Sequence, residues 1–151
     1  MIRRQTHSQH KQNMSKAIEN LEQAMKLADA KKPKIGGFPY LAESLRRAGV
    51  TQNIWSLPSC QSLFLTEIGP VVMQGTPLTA GTMDVPAFDG EALIRALRRD
   101  QAGESTFPEF LEASWRAGVT GYVVDLDART VEYQGCAGER YAESYPAIEI
   151  D

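Results

Sequence analysis

A chain of 151 residues, 42% hydrophobic and 23% charged, has the make-up of one soluble globular domain. Such a length buries roughly two thirds of the unfolded surface, enough for a core without staples. The net charge of −3 is unevenly spread: residues 1–13 hold Arg3, Arg4 and Lys11 and no acid, leaving 13 bases against 19 acids in the rest. An acidic body argues against broad nucleic-acid binding, which needs a basic face to displace counterions. No apolar run nears the ~18 residues of a membrane span. Arg3-Arg4 leads into no apolar segment, so it does not mark export. The two cysteines, Cys60 and Cys136, read as free thiols in a reducing compartment, and the expected location is cytoplasmic.

Residues 1–13 are polar and read as a disordered tail, with a single α+β domain expected over 14–150. Met14, Ile18, Leu21, Met25 and Ala28 recur at spacings of four and three, one apolar helical stripe. Ser15 starts that helix, and Lys31-Lys32-Pro33 ends it. After Gly36-Gly37, Phe38-Pro39 opens a second helix with proline in the first turn, and Gly49 closes it. Strands are expected over 52–57, 62–68 and 71–73, punctuated by Pro58-Ser59 and Gly69-Pro70. Residues 76–88, rich in proline, glycine and small residues, form a linker. Asp89 is an N-cap for a helix over 91–99, which Gly103 ends. Another helix runs over 108–117 to Gly118. A hairpin of 122–126 and 130–134 turns at Asp127-Ala128-Arg129, and Gly135-Cys136-Ala137-Gly138 turns into a last strand over 139–144.

The segment Phe38–Thr51 recurs 69 residues later as Phe107–Thr120, with eight of fourteen positions identical. The shift continues without a gap: Leu57 falls on Leu126, Gly69 on Gly138 and Pro77 on Pro146. A helix stop, a turn and a strand stop thus align together. The expected architecture is an internally duplicated helix-helix-strand-strand-strand unit, repeat 1 over 14–80 and repeat 2 over 81–150, packed with pseudo-twofold symmetry. The alternative arrangement is one continuous sheet of about six strands with helices on one face. Arg47 and Arg116, equivalent and near helix ends, read as partners of the negative helix terminus and its free carbonyls. Trp55 and Trp115 read as core.

The residues supply no catalytic constellation. Both histidines, His7 and His10, lie in the tail, which removes histidine-based triads and most zinc sites. Neither cysteine has a nearby histidine or CxxC partner. The Gly135–Gly138 turn links strands and opens no helix, so it is not a phosphate loop. No metal or cofactor is expected. The densest chemistry lies in repeat 2, where Glu139, Tyr141 and Glu143 alternate along one strand face, with Tyr133 and Asp125 on the strands before. These five could form a ligand or partner surface, or do acid–base work if burial raised a carboxylate pKa. Against this, tyrosines suit strands and charges protect sheet edges.

The run Phe107-Pro108-Glu109-Phe110, Ala117-Gly118-Val119, Tyr122, Val124-Asp125, Thr130-Val131, Tyr133, Gly135, Gly138-Glu139, Tyr141 and Glu143 resembles a bacterial and prophage family described as "phage envelope protein" or YdfO-like. Repeat 1 departs from it, with Asn53, Ser56 and Pro70 where repeat 2 has Tyr122, Asp125 and Glu139. The resemblance implies a phage connection and places any site in repeat 2. Together these readings favour a non-enzymatic accessory protein with a protein partner, no membrane or nucleic-acid role, and a monomeric or weakly dimeric state. The competing reading is a small-molecule-binding protein or enzyme with a Tyr/carboxylate site between the repeats.

Overall fold

The computed structural model describes residues 15–150; the expected disordered tail, Met14 and both histidines lie outside them. The order of elements is α1 (Lys16–Lys31), α2 (Gly37–Arg47), β1 (Val50–Ser56), β2 (Gln61–Thr66), β3 (Val71–Gln74), α3 (Gly90–Gln101), α4 (Phe107–Arg116), β4 (Gly121–Asp125), β5 (Thr130–Gln134) and β6 (Arg140–Ser144). The α+β class is as expected. Of the two arrangements left open by the sequence, the continuous one is found: a single six-stranded antiparallel sheet in the order β3-β2-β1-β4-β5-β6.

Local chemistry explains the helix starts. The Ser15 hydroxyl accepts from the Ile18 N–H, and Asp89 Oδ1 accepts from the Ala92 N–H. Thr106 and Glu109 form a reciprocal capping box, each side chain accepting from the other's backbone N–H. Both Gly49 (φ 94°) and Gly118 (φ 85°) end helices in the left-handed region. At Gly118 no side chain fits, because a Cβ would lie 2.5 Å from the Ala87 carbonyl oxygen.

Boundaries shift by at most two residues from the expectation. β1 begins at Val50, two residues early, because Val50 already pairs with Thr66 across a bulge at Thr51. β6 begins at Arg140; Glu139 remains in the turn. The two arginines near helix ends also differ from their expected roles. Arg47 and Arg116 each pair with the acid one turn back, Glu43 (3.1 Å) and Glu112 (2.8 Å). The carbonyls at those ends are taken instead by backbone N–H groups, Gly49 to Arg46 and Gly118 to Trp115.

The sheet is covered on one face. Phe64, Asn53, Val124 and Val131 lie in register and are buried, as are the neighbouring Ser62, Tyr122 and Tyr133. Leu21, Leu45, Leu93, Leu97, Phe110, Leu111 and Trp115 cover them from the helices. Trp115 is core as expected. Trp55 is only half-buried, stacked on Tyr122 at 5.8 Å and edge-on to Phe107 at 5.3 Å. Across the seam between β1 and β4, Ile54 pairs with Val123, Asn53 with Val124 and Trp55 with Tyr122. Cys60 (φ 52°) and Arg129 (φ 56°) are the two non-glycine residues with positive φ among those described, one in each central hairpin turn.

Candidate functional site

The five residues singled out over 125–143 do not converge on one point. Asp125 ends β4 on the uncovered face, opposite Thr130, and its Oδ1 accepts from the N–H groups of Asp127 and Ala128. It shapes the β4–β5 turn. Glu139 closes the next turn: its Oε1 accepts from the Ala137 N–H and lies over Gly135, where a Cβ would approach it to 2.5 Å. Tyr133 is buried at 6% exposure between Phe110 and Tyr122, with ring centroids 6.5 and 5.4 Å away. Burial drives its hydroxyl pKa above the usual tyrosine range, and does the same to fully buried Tyr122.

Tyr141 and Glu143 do meet, on the covered side of edge strand β6. The Tyr141 hydroxyl donates to Glu143, which also receives a two-pronged Arg98 guanidinium at 3.1 and 2.7 Å and the Gln101 amide at 3.2 Å. The Arg98 bond holds the Glu143 carboxyl below its ordinary range, while the bond to Glu143 raises Tyr141. This clasp ties the last turns of α3 to the sheet edge. Near it, Asp100 is pushed up by burial, with a long 3.5 Å bond from Ser105 opposing the shift. No local pattern points to Arg98, Asp100 or Gln101 here, since they lie over 40 residues from Glu143 and only the fold brings α3 to β6.

Two other features escaped the sequence reading. On the uncovered sheet face, Val72, Leu63, Ile54 and Val123 stand in one cross-strand row that continues into Glu132 and Ala142. Val72 is 57% and Leu63 40% exposed. The signal was present in Leu63-Phe64-Leu65: a strand apolar on consecutive positions is apolar on both faces. The second feature is a cleft of about 290 Å³ along α1 and α2, lined by none of the five residues. Among the described residues no group of three or more histidine, cysteine or acidic side chains could hold a metal ion. Both cysteines are free; Cys60 is buried, which pushes its thiol up, and Cys136 is exposed.

Such a structure is a small α+β protein with one six-stranded sheet, open on one face, and no assembled catalytic group set at the expected place. The chain belongs to the family described as protein of unknown function (DUF1398), whose model matches residues 26–143. It is 53% identical over 138 residues to "Uncharacterized protein Rv2012" of Mycobacterium tuberculosis and, to the same extent, to "Uncharacterized protein Mb2035" of Mycobacterium bovis. Those matches cover 91% of this chain and 84% of each relative. No helix among the described residues is long and apolar enough to cross a membrane.

Proposed function

We propose that this is a non-enzymatic, cytoplasmic accessory protein, a duplicated fold that works by binding another protein on its open sheet face. Pseudo-twofold symmetry is supported by the seam: the Ile54·Val123 pair is flanked by Asn53·Val124 and Trp55·Tyr122, which exchange under a shift of 69. The positive φ angles at Cys60 and Arg129, and the Glu43–Arg47 and Glu112–Arg116 pairs, are likewise 69 apart. In the last strand the offset becomes 70, because Val71 lies opposite Phe64 as Tyr141 lies opposite Tyr133. The YdfO-like motif and the phage connection it implies belong to this same reading.

One observation carries the assignment of the face. Under the twofold, Leu63 and Val72 correspond to Glu132 and Ala142 on the other wing. Two wings of one origin have diverged, and in this row only one offers large apolar side chains to solvent. Contiguous exposed apolar surface of this kind marks interaction sites. The row spans four strands, about 14 Å at ~4.8 Å per strand. That is small beside the ~800 Å² per partner of stable interfaces, so the complex should be transient and self-association through this face weak. The competing Tyr/carboxylate site is less favoured because Asp125, Glu139 and Glu143 already accept bonds within the chain.

A photo-crosslinking residue at Val72, with one at Glu91 on α3 as control, tests the reading in a mycobacterial lysate. The expected result is a defined adduct from position 72 only, lost in Leu63→Asp while the circular dichroism spectrum stays unchanged. An adduct that survives Leu63→Asp, one formed equally from position 91, or none at all overturns it.

A further inference from the structure

We propose that the cleft along α1 and α2 binds an elongated organic dianion, an apolar chain with a carboxylate at each end. α1 and α2 run antiparallel across a turn of five residues, and the Asn20 amide donates to the Ala48 carbonyl at 2.6 Å to fix their far ends. The cleft exists because its floor is built from small side chains, Ala24, Ser44 and Ala48. The Ser44 hydroxyl is turned onto the Tyr40 carbonyl at 3.0 Å, which keeps the floor low. Leu27, 59% exposed, supplies an apolar wall that the chain itself leaves uncovered.

Charge defines the ligand. Among the described residues no acid lines the cleft, although the chain as a whole is acidic. Its two charged lining residues are cations, Lys31 and Arg47, at opposite ends. Lys31, at the end of α1, lies toward Tyr40 in the first turn of α2, and Arg47 is seven residues further on. The separation is about 10 Å at 1.5 Å per residue. Arg47 is held in place by Nε to Glu43 (3.1 Å) and Nη1 to the Ile150 carbonyl (3.2 Å). A cation at each end and leucine and alanine between them match an anion–chain–anion molecule of medium length. The volume is at the small end of ligand sites, which suits such a slender molecule and not a nucleotide.

Titration calorimetry and amide chemical-shift mapping with octanedioate, octanoate and octane-1,8-diol test this on the full chain. Octanedioate should bind about threefold tighter than octanoate, as one more partly exposed ion pair provides, and the diol should not bind detectably. Shifts should map to Ala24, Leu27, Tyr40 and Ser44. Lys31→Gln should lower octanedioate to the octanoate level, and Ser44→Leu, which fills the floor, should abolish both while urea unfolding stays cooperative. The proposal fails if the diol binds as well as the dianion, if none of the three binds at millimolar concentration, if shifts fall elsewhere, or if Ser44→Leu binds normally. These outcomes are independent of the open sheet face, which lies on the opposite side of the sheet.

Discussion

Glu43 concentrates the polar energetics of the first half. Its side chain is 8% exposed and accepts from Arg46 through both oxygens and from Arg47 through one. The Arg46 bond, helped by Arg47 and opposed by burial, lowers its pKa from 4.5 to about 2. A carboxyl lowered on folding stabilises the native state above its unfolded pKa, and that contribution is lost as pH falls from about 4.5 to about 2. Because both arginines are partly exposed, the effect should be about 1 kcal/mol and not the full shift. Glu43→Gln should therefore lower the urea midpoint at pH 6 and converge with the parent by pH 2; parallel curves across that range would refute the assignment. In the sequence Glu43 was one of many acids. α2 also meets the chain's C-terminal segment, with Arg47 on the Ile150 carbonyl and Phe38 edge-on to Tyr145, contacts over 100 residues apart that no local pattern records.

Among elements, the helices were the most legible, because their signals are local. The Ser15 and Asp89 caps, the Gly49 and Gly118 stops and the Pro39 and Pro108 starts all act within one turn of where they are read. The Thr106–Glu109 box gives a direct check. Thr106→Ala should cost about 1 kcal/mol in urea unfolding, while Ser105→Ala, whose bond to Asp100 is 3.5 Å, should cost less. Strands were legible in number but not in partnership. β1 joins β4, 69 residues away, and nothing in either strand names the other. The candidate site suffered from the same limit. Alternation correctly set Tyr141 and Glu143 on one face, but what neutralises Glu143 comes from α3. Tyr133 was a candidate because tyrosine carries a hydroxyl; the fold uses its ring, packed by Phe110 and Tyr122.

At the scale of the molecule, β1·β4 is the strand pair that joins the two halves, alongside side-chain contacts such as Trp55–Phe107, Phe38–Tyr145 and Arg47 to the Ile150 carbonyl, and that seam has a consequence for how the protein assembles. The hairpins within each half join residues close in the chain, whereas β1·β4 must close a loop of about 70 residues, which is slower. The connecting segment is anchored at both ends to its own half: the Leu78 N–H donates to the Pro58 carbonyl, and the Asp89 N–H to the Ala117 carbonyl. Between those anchors, Gly81 and its neighbours are exposed. Continuity of the chain there is not what holds the sheet together. Two fragments, 1–81 and 82–151, should therefore reassemble when co-expressed, copurifying as a one-to-one complex with the parent's circular dichroism spectrum. For the same reason the intact chain can trade halves with a second copy, closing β1 on its partner's β4 in a domain-swapped dimer. Concentrated refolding should trap that form, and light scattering would register it as twice the monomer mass with every native strand pair preserved.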